Sequence, residues 1–206
     1  KSAELKIHKK SVFLHVVFEK EFDDAVPNGT VIGGDRGWTK LLVLSNGKFF
    51  GAKAFNHHLA KIRKLRSELQ SAAARGSKSA KRHLSRLSGR EKRFTADFLH
   101  CLANEVLRGM SKGEVLALED LTDIRKRGNT GFKGKKFRRA LNAWAFRKLQ
   151  EILTYKAIPK GIAIQIVPAH YTSKSCSGCG FCSSQNRPSQ NEFKCGECQL
   201  SLHADL

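Results

Sequence analysis

Two cysteine pairs near the C-terminal end constrain this chain more than any other feature. Cys176-x2-Cys179 and Cys195-x2-Cys198 are separated by residues 180–194. Two sulfurs at this spacing can bind one ion from a tight turn, and two such turns supply four thiolates, the spacing of a zinc ribbon. Four sulfurs leave no coordination position open, so a Zn2+ held there is structural. Residues 183–191 are rich in Ser, Gln and Asn and offer no apolar core, so the metal would have to supply the folding energy of this stretch. Disulfides are the competing use of six cysteines. Four of them in two close pairs, beside basic and aromatic residues, fit a metal in a reducing compartment better. Cys179-x2-Cys182 is also a pair by spacing alone, a third. Cys101 lies on an apolar helical face and reads as a small core residue.

Charge narrows the partners. The 206 residues carry 38 Lys and Arg against 18 acids, a formal charge of +20. Such a surplus resists compaction and favours a polyanion, nucleic acid before a membrane surface. No apolar run approaches the ~20 residues of a spanning helix, the N-terminus reads as no secretory signal, and no membrane partner is expected. The length suffices for one core and a small satellite module. Both ends look cut: the chain starts at Lys1 and stops one residue after Asp205, so a larger parent protein is expected.

Periodicity predicts an α/β chain with a mixed sheet. Residues 5–8 and 12–18 read as strands joined by a Lys9-Lys10-Ser11 turn, and residues 19–28 as a polar linker. Residues 29–32 run into Asp35. Leu41-Leu42-Val43-Leu44 and Lys48-Phe49-Phe50 flank Asn46-Gly47, a strong hairpin signal. A long basic helical region follows. It carries one stripe of Leu59, Ile62, Leu65 and Leu69 and another of Phe94, Phe98, Leu102 and Val106, with a break near residues 75–78. This reads as a helical hairpin on the sheet, its outer cations turned to solvent and phosphate. His57 and His58 read as capping a helix. Residues 114–119 form an apolar strand ending in Glu119. After a basic loop, a helix from Ala140 shows Leu141, Trp144, Ala145, Leu149, Ile152 and Leu153 on one face and closes at Pro159 and Gly161. Residues 162–167 are a buried-type strand stopped by Pro168. The order βββ-α-β-α-β suits a mixed sheet with flanking helices.

Three acids stand out. Asp35 sits in Gly33-Gly34-Asp35-Arg36-Gly37, where glycines allow close backbone approach. Glu119 ends another strand, and Asp205 follows the cysteine module. An acid at a strand end is ordinarily just solvated. Three at one place repel and are tolerated when divalent cations neutralise them. Mg2+ prefers such oxygen donors, and two ions ~4 Å apart can stabilise both the attacking and leaving oxygens of a phosphodiester. Asp120 and Asp123 read as supporting residues. Arg125, Lys126, Arg127, Lys133, Lys135, Lys136, Arg138 and Arg139 form a glycine-interleaved basic segment suited to phosphates. His203 and His170 are assigned no chemistry.

Gly34-Asp35-x-Gly37, Leu118-Glu119-Asp120-Leu121, Thr172-Ser173-x-x-Cys176-x-x-Cys179-Gly180, Cys195-x-x-Cys198 and Ala204-Asp205-Leu206 together resemble the RuvC-like nuclease region of TnpB proteins, transposon-encoded relatives of the type V CRISPR effectors. Residues 94–100 and 141–146 resemble that family's helices, and the likeness runs from about Gly29 onward. The resemblance implies an RNase H-like fold and an RNA-guided, Mg2+-dependent DNA endonuclease. It implies the following organisation: the end of a wedge-like β domain and linker over residues 1–28, the nuclease core over 29–173, an inserted zinc ribbon over 174–202, and the start of the last RuvC segment over 203–206. Asp35, Glu119 and Asp205 fall on the catalytic acids. Cys176, Cys179, Cys195 and Cys198 fall on the zinc ligands, which leaves Cys182 a bystander. Guide RNA and target DNA are the implied partners, the prokaryotic cytoplasm near the nucleoid the implied location; a homodimer stays open. The chain departs from the family at Gly34, where an apolar branched residue is usual, and at Gln199, where glycine is common. The helix expected after Asp205 and the guide-gripping N-terminal half lie outside it. A binding-only repressor or an RNA scaffold of the same fold is the rival reading; intact acids weigh against it. A self-sufficient DNA-joining transposase fits the zinc ribbon less well.

Overall fold

The computed structural model describes residues 2–8, 11–37, 40–121, 146–168, 171–172, 174–189 and 192–203. The sheet at its centre has five strands: β3 (Val31–Asp35), β4 (Lys40–Leu44), β5 (Phe49–Gly51), β6 (Val115–Glu119) and β7 (Ala163–Val167). Their order is β5-β4-β3-β6-β7. β3, β4 and β5 run antiparallel, and β6 and β7 run parallel to β3. The hairpin forms where Asn46-Gly47 predicts it: Gly47 takes φ +81°, and its N–H donates to the Leu44 carbonyl at 2.9 Å. Parallel neighbours cannot be joined by a tight turn and need a crossover. The segment between β5 and β6 contains α1 (Lys53–Ala74), α2 (Lys78–Leu87) and α3 (Arg90–Arg108), and α4 (Phe146–Ala157) precedes β7. The expected mixed α/β order is therefore observed.

One apolar core joins sheet and helices. Ile32, Leu42, Leu44, Leu116 and Leu118 meet Phe55 and Leu59 of α1, Leu99, Leu102 and Val106 of α3, and Leu149, Ile152 and Leu153 of α4. Burying each such side chain is worth about 1.5–3 kcal/mol, so this stripe decides where the helices sit. Gly161, in the left-handed region at φ +63°, ends the turn after α4, as Pro159 and Gly161 predict.

Several expectations need correction. The stripe on α1 is only half used: Ile62 is buried, but Leu65 is 43% exposed. A 22-residue helix is ~33 Å long and outruns the strands. Its far half leans on α2 instead, where Leu65 and Leu69 line a shallow cavity with Leu87. α1 starts after Ala52 with no side-chain cap, so no histidine caps it, whereas Ser77 caps α2 by accepting from the Ala80 N–H at 3.2 Å. His57 and His58 lie inside α1, with His58 against Phe94 at 4.1 Å between ring centroids. Cys101 is exposed rather than buried; it stands off the Leu99–Leu102–Val106 stripe, beside Glu105 on the rim of a cavity. The first part of the helix expected from Ala140, with Leu141, Trp144 and Ala145, lies outside the described residues.

Gly34 explains its own departure from the usual branched residue. A Cβ there would come within 2.8 Å of Leu118 Cδ2, 3.3 Å of Leu42 Cδ1 and 3.4 Å of Leu116 Cδ1. Three leucines from flanking strands have filled the space. Gly34→Ile overpacks this point and is expected to lower stability by about 1–3 kcal/mol, read as a lower midpoint in urea; an unchanged midpoint would mean the leucines withdraw freely.

Two smaller sheets are also present among the described residues. β1 (Ser2–His8) and β2 (Ser11–Val17) pair antiparallel from Ser2↔Val17 to His8↔Ser11. Side chains alternate along each strand, so the register sets Leu5, Ile7, Val12, Leu14 and Val16 on one exposed, wholly apolar face, while Glu4, Lys6 and His15 share the other with Phe13 and Val17. β8 (Glu192–Lys194) and β9 (Ser201–His203) form the hairpin carrying the second cysteine pair.

Candidate functional site

Asp35 and Glu119 are the last residues of neighbouring parallel strands. The register pairs Gly33 with Ala117 and Gly34 with Leu118, and one further step sets Asp35 beside Glu119. Side chains alternate along a strand. Ile32, Leu116 and Leu118 point into the helical core, so Asp35 and Glu119 point to the opposite face, at the same edge of the sheet. Asp35 is exposed and Glu119 half-buried. The Thr172 hydroxyl donates to Glu119 Oε1 at 2.5 Å. Two hard oxygen donors on adjacent strand ends, open to solvent, suit Mg2+, which keeps several waters and takes one or two carboxylates.

Arg36, one residue beyond Asp35, turns the other way and is 3% exposed. Its Nη1 donates to Gln150 Oε1 of α4 at 3.0 Å, and its Nη2 donates to the Glu119 backbone carbonyl. Burial pulls the guanidinium below its ordinary pKa, while the charges of Glu119, Asp35 and Asp120 act in the opposite direction. Asp120 is therefore part of the electrostatic surroundings of this edge, and its N–H donates to the Val167 carbonyl at 2.7 Å.

The four predicted thiols converge. Cys176, Cys179, Cys195 and Cys198 place their sulfurs within 4.8 Å of one another. Cys176 and Cys198 are 3.5 Å apart, Cys179 and Cys195 3.6 Å. Tetrahedral Zn–S bonds of ~2.3 Å require sulfurs ~3.8 Å apart, so the set could hold a metal such as zinc. Both loops turn tightly, with the Gly178 and Glu197 N–H groups each aimed at a sulfur at 3.4 Å, an arrangement that suits a metal. Cys176, Cys195, Phe193 and Leu200 make a small core. Cys182 is exposed, bridges to Ser175, and lies outside the four-sulfur group.

Protonation of the thiols is uneven. The Cys179 N–H is the largest of the influences that bring the Cys176 thiol down to about 7. At Cys198 the Leu200 N–H acts downward, but neighbouring Cys179 and Cys176 outweigh it and the thiol is pushed up to about 12.

Sequence reasoning missed four polar residues. Arg36 is the unspecified position of Gly34-Asp35-x-Gly37, and Gln150 is a polar residue next to the apolar stripe of α4. Thr172 was inside a quoted motif without a role. Asn186, fully buried, had no signal: its Nδ2 donates to the Lys174 and Phe181 carbonyls at 2.9 and 3.1 Å, and its Oδ1 accepts from the Gly196 N–H at 3.1 Å. It thus ties the two cysteine loops together. Asp205, Asp123, His170 and the basic residues Arg125, Lys126, Arg127, Lys133, Lys135, Lys136, Arg138 and Arg139 lie outside the described residues. His203, two positions before Asp205, packs on Phe49 with ring centroids 5.8 Å apart, its Nε2 3.3 Å from Lys40 Nζ.

The family model OrfB_IS605, described as a probable transposase, matches residues 15–124, more than half of the chain. The chain belongs to this family of TnpB-like proteins. A second model, the Cas12f1-like TNB domain, matches residues 146–206 of this TnpB-like chain. It is 36% identical to the TnpB-like protein MJ0751 of Methanocaldococcus jannaschii, over 69% of this chain and 50% of that protein. It is 28% identical to a CRISPR-associated endodeoxyribonuclease Cas12f2 of a Micrarchaeota archaeon, over 91% of this chain and 36% of that protein. In fold it is similar to the Cas12f1 chain of a Cas12f1–sgRNA–target DNA complex, with a TM-score of 0.62 at 20% identity, over 98% of this chain and 53% of that one. The TnpB-like chain thus spans about half the length of the relatives it matches, or less. Among the described residues, no helix is long and apolar enough to cross a membrane.

Proposed function

We propose that this chain is the RuvC-like nuclease core and zinc ribbon of an RNA-guided, metal-dependent DNA endonuclease associated with a transposon. The observation that carries this reading is the placing of Asp35 and Glu119 side by side at the ends of β3 and β6, in a chain of this family. The strand order, three antiparallel strands continued by two parallel ones, supports an RNase H-like classification. The core covers residues 29–173 and the ribbon 174–202, with residues 1–28 belonging to a preceding wedge-like domain.

Asp35 and Glu119 would hold Mg2+ at the sheet edge, with Asp205 as a third ligand, and Thr172 orients Glu119 by its hydroxyl. Bound magnesium supplies the charge that activates water and stabilises the departing oxygen of a phosphodiester. The four thiolates hold Zn2+ as a structural centre just before Asp205 in the chain. The basic segment of residues 125–139 and the cationic outer faces of α1 and α2 contact phosphates of guide RNA or target DNA. The protein works in the cytoplasm, at the DNA.

Purification of the full-length protein tests this. A discrete RNA should co-purify, the complex should cut DNA complementary to it in Mg2+, and EDTA should stop the cutting. Tight guided binding without cutting in Mg2+ or Mn2+ would reject the nuclease in favour of a repressor.

A further inference from the structure

Arg36 is a charged side chain inside the molecule, 3% exposed, and taking a charge out of water is costly. What offsets the cost is specific. One guanidinium nitrogen donates to the backbone carbonyl of Glu119, another to Gln150 on α4, and the charges of Glu119, Asp35 and Asp120 favour its charged form. We propose that Arg36 is a positioning residue for the carboxylate site: it clamps the end of β6 to the end of β3 and to α4, and supplies the counter-charge that lets the acids stand together before a divalent ion arrives. The proposal rests on the reading of Asp35 and Glu119 as metal ligands.

Two separable consequences follow from the guanidinium. Its geometry is a planar fork that reaches two acceptors on different elements at once; a lysine ammonium carries the charge on a single nitrogen without that fork. Its charge acts on the same carboxylates that would take Mg2+, so it competes with the ion electrostatically. Removing the charge leaves the metal-free edge repelling itself and makes the incoming ion worth more. Removing only the fork loosens Glu119 without altering that balance.

The test uses the full-length, guide-loaded protein with three forms: wild type, Arg36→Met and Arg36→Lys. Thermal unfolding is followed as Mg2+ is titrated, and target cleavage is measured at saturating Mg2+. Arg36→Met should melt several degrees lower without divalent ion, gain more from Mg2+ than wild type, and reach half its gain at about tenfold less Mg2+. Its cleavage should fall about tenfold or more. Arg36→Lys should keep the wild-type Mg2+ midpoint while still losing about tenfold in cleavage, a pattern that plain loss of packing does not produce. If Arg36→Met does not fold, Arg36→Lys alone decides: full cleavage overturns the proposal. Identical Mg2+ responses of wild type and Arg36→Met overturn it while leaving the metal site standing. No Mg2+ response in wild type removes the metal reading and the proposal with it.

Discussion

Asp35→Ala or Glu119→Ala in the full-length protein is expected to reduce target cleavage by about a thousandfold or more and to leave guided DNA binding nearly unchanged. The size follows from losing one oxygen ligand of an ion that neutralises charge developing in the transition state, a contribution of several kcal/mol at ~1.4 kcal/mol per factor of ten. Binding survives because both acids stand at the rim of the sheet: Asp35 is exposed, and Glu119 points away from the helical core. Neither substitution opens a cavity in the apolar cluster. The measurement is a pair of assays on one preparation, cleavage rate and DNA affinity. Equal loss in both would mean that the acids support the fold, and undiminished cleavage would remove them from the chemistry.

Loss of the zinc has the second large effect. The ribbon has few apolar side chains to hold it, chiefly Phe193 and Leu200 around Cys176 and Cys195. Structural zinc in small modules contributes roughly 10–16 kcal/mol at neutral pH, far more than that core can replace. Cys195→Ser is expected to abolish stoichiometric zinc and to expose residues 174–203 to protease, while Cys182→Ser keeps one zinc per chain, because its thiol lies outside the four-sulfur group. The pH dependence has a definite sign. Without metal, Cys198 holds its proton up to about 12 whereas Cys176 gives its own up near 7. Zinc binding must expel the protons that remain, so zinc affinity rises with pH and falls as pH drops through 7. Competition against a chromophoric chelator between pH 6 and 8 reads this directly. A flat profile would mean that the thiols are already ionised in the metal-free protein.

The strands, the helices and the convergence of the four thiols are legible because each rests on a local signal: Asn46-Gly47 for the hairpin, the Leu99–Leu102–Val106 spacing for α3, two short cysteine intervals for the four-sulfur group. Asp35 and Glu119 could be paired in advance because both end strands. What was not legible depended on distance. Leu65 has the right spacing for a core position, but nothing in its neighbourhood says that the sheet ends before it. Cys101 is a small apolar residue one step off the buried stripe, and that step, a turn of about 100° around the helix, decides exposure. Arg36 looks like one more cation in a chain of 38 Lys and Arg; only the fold reveals that it alternates inward, against a carbonyl 83 residues away. Asn186 gains its role from a cysteine loop folded back over it.

The β1–β2 ribbon has a practical consequence. A two-stranded pair by itself is at best marginally stable in water, and this one offers water one wholly greasy side along with unpaired backbone at its margins. Such strands recruit one another. Concentrated solutions of the chain should cloud first through this ribbon, and charged replacements at Ile7 and Val16 should keep them clear without disturbing the sheet that bears the acids.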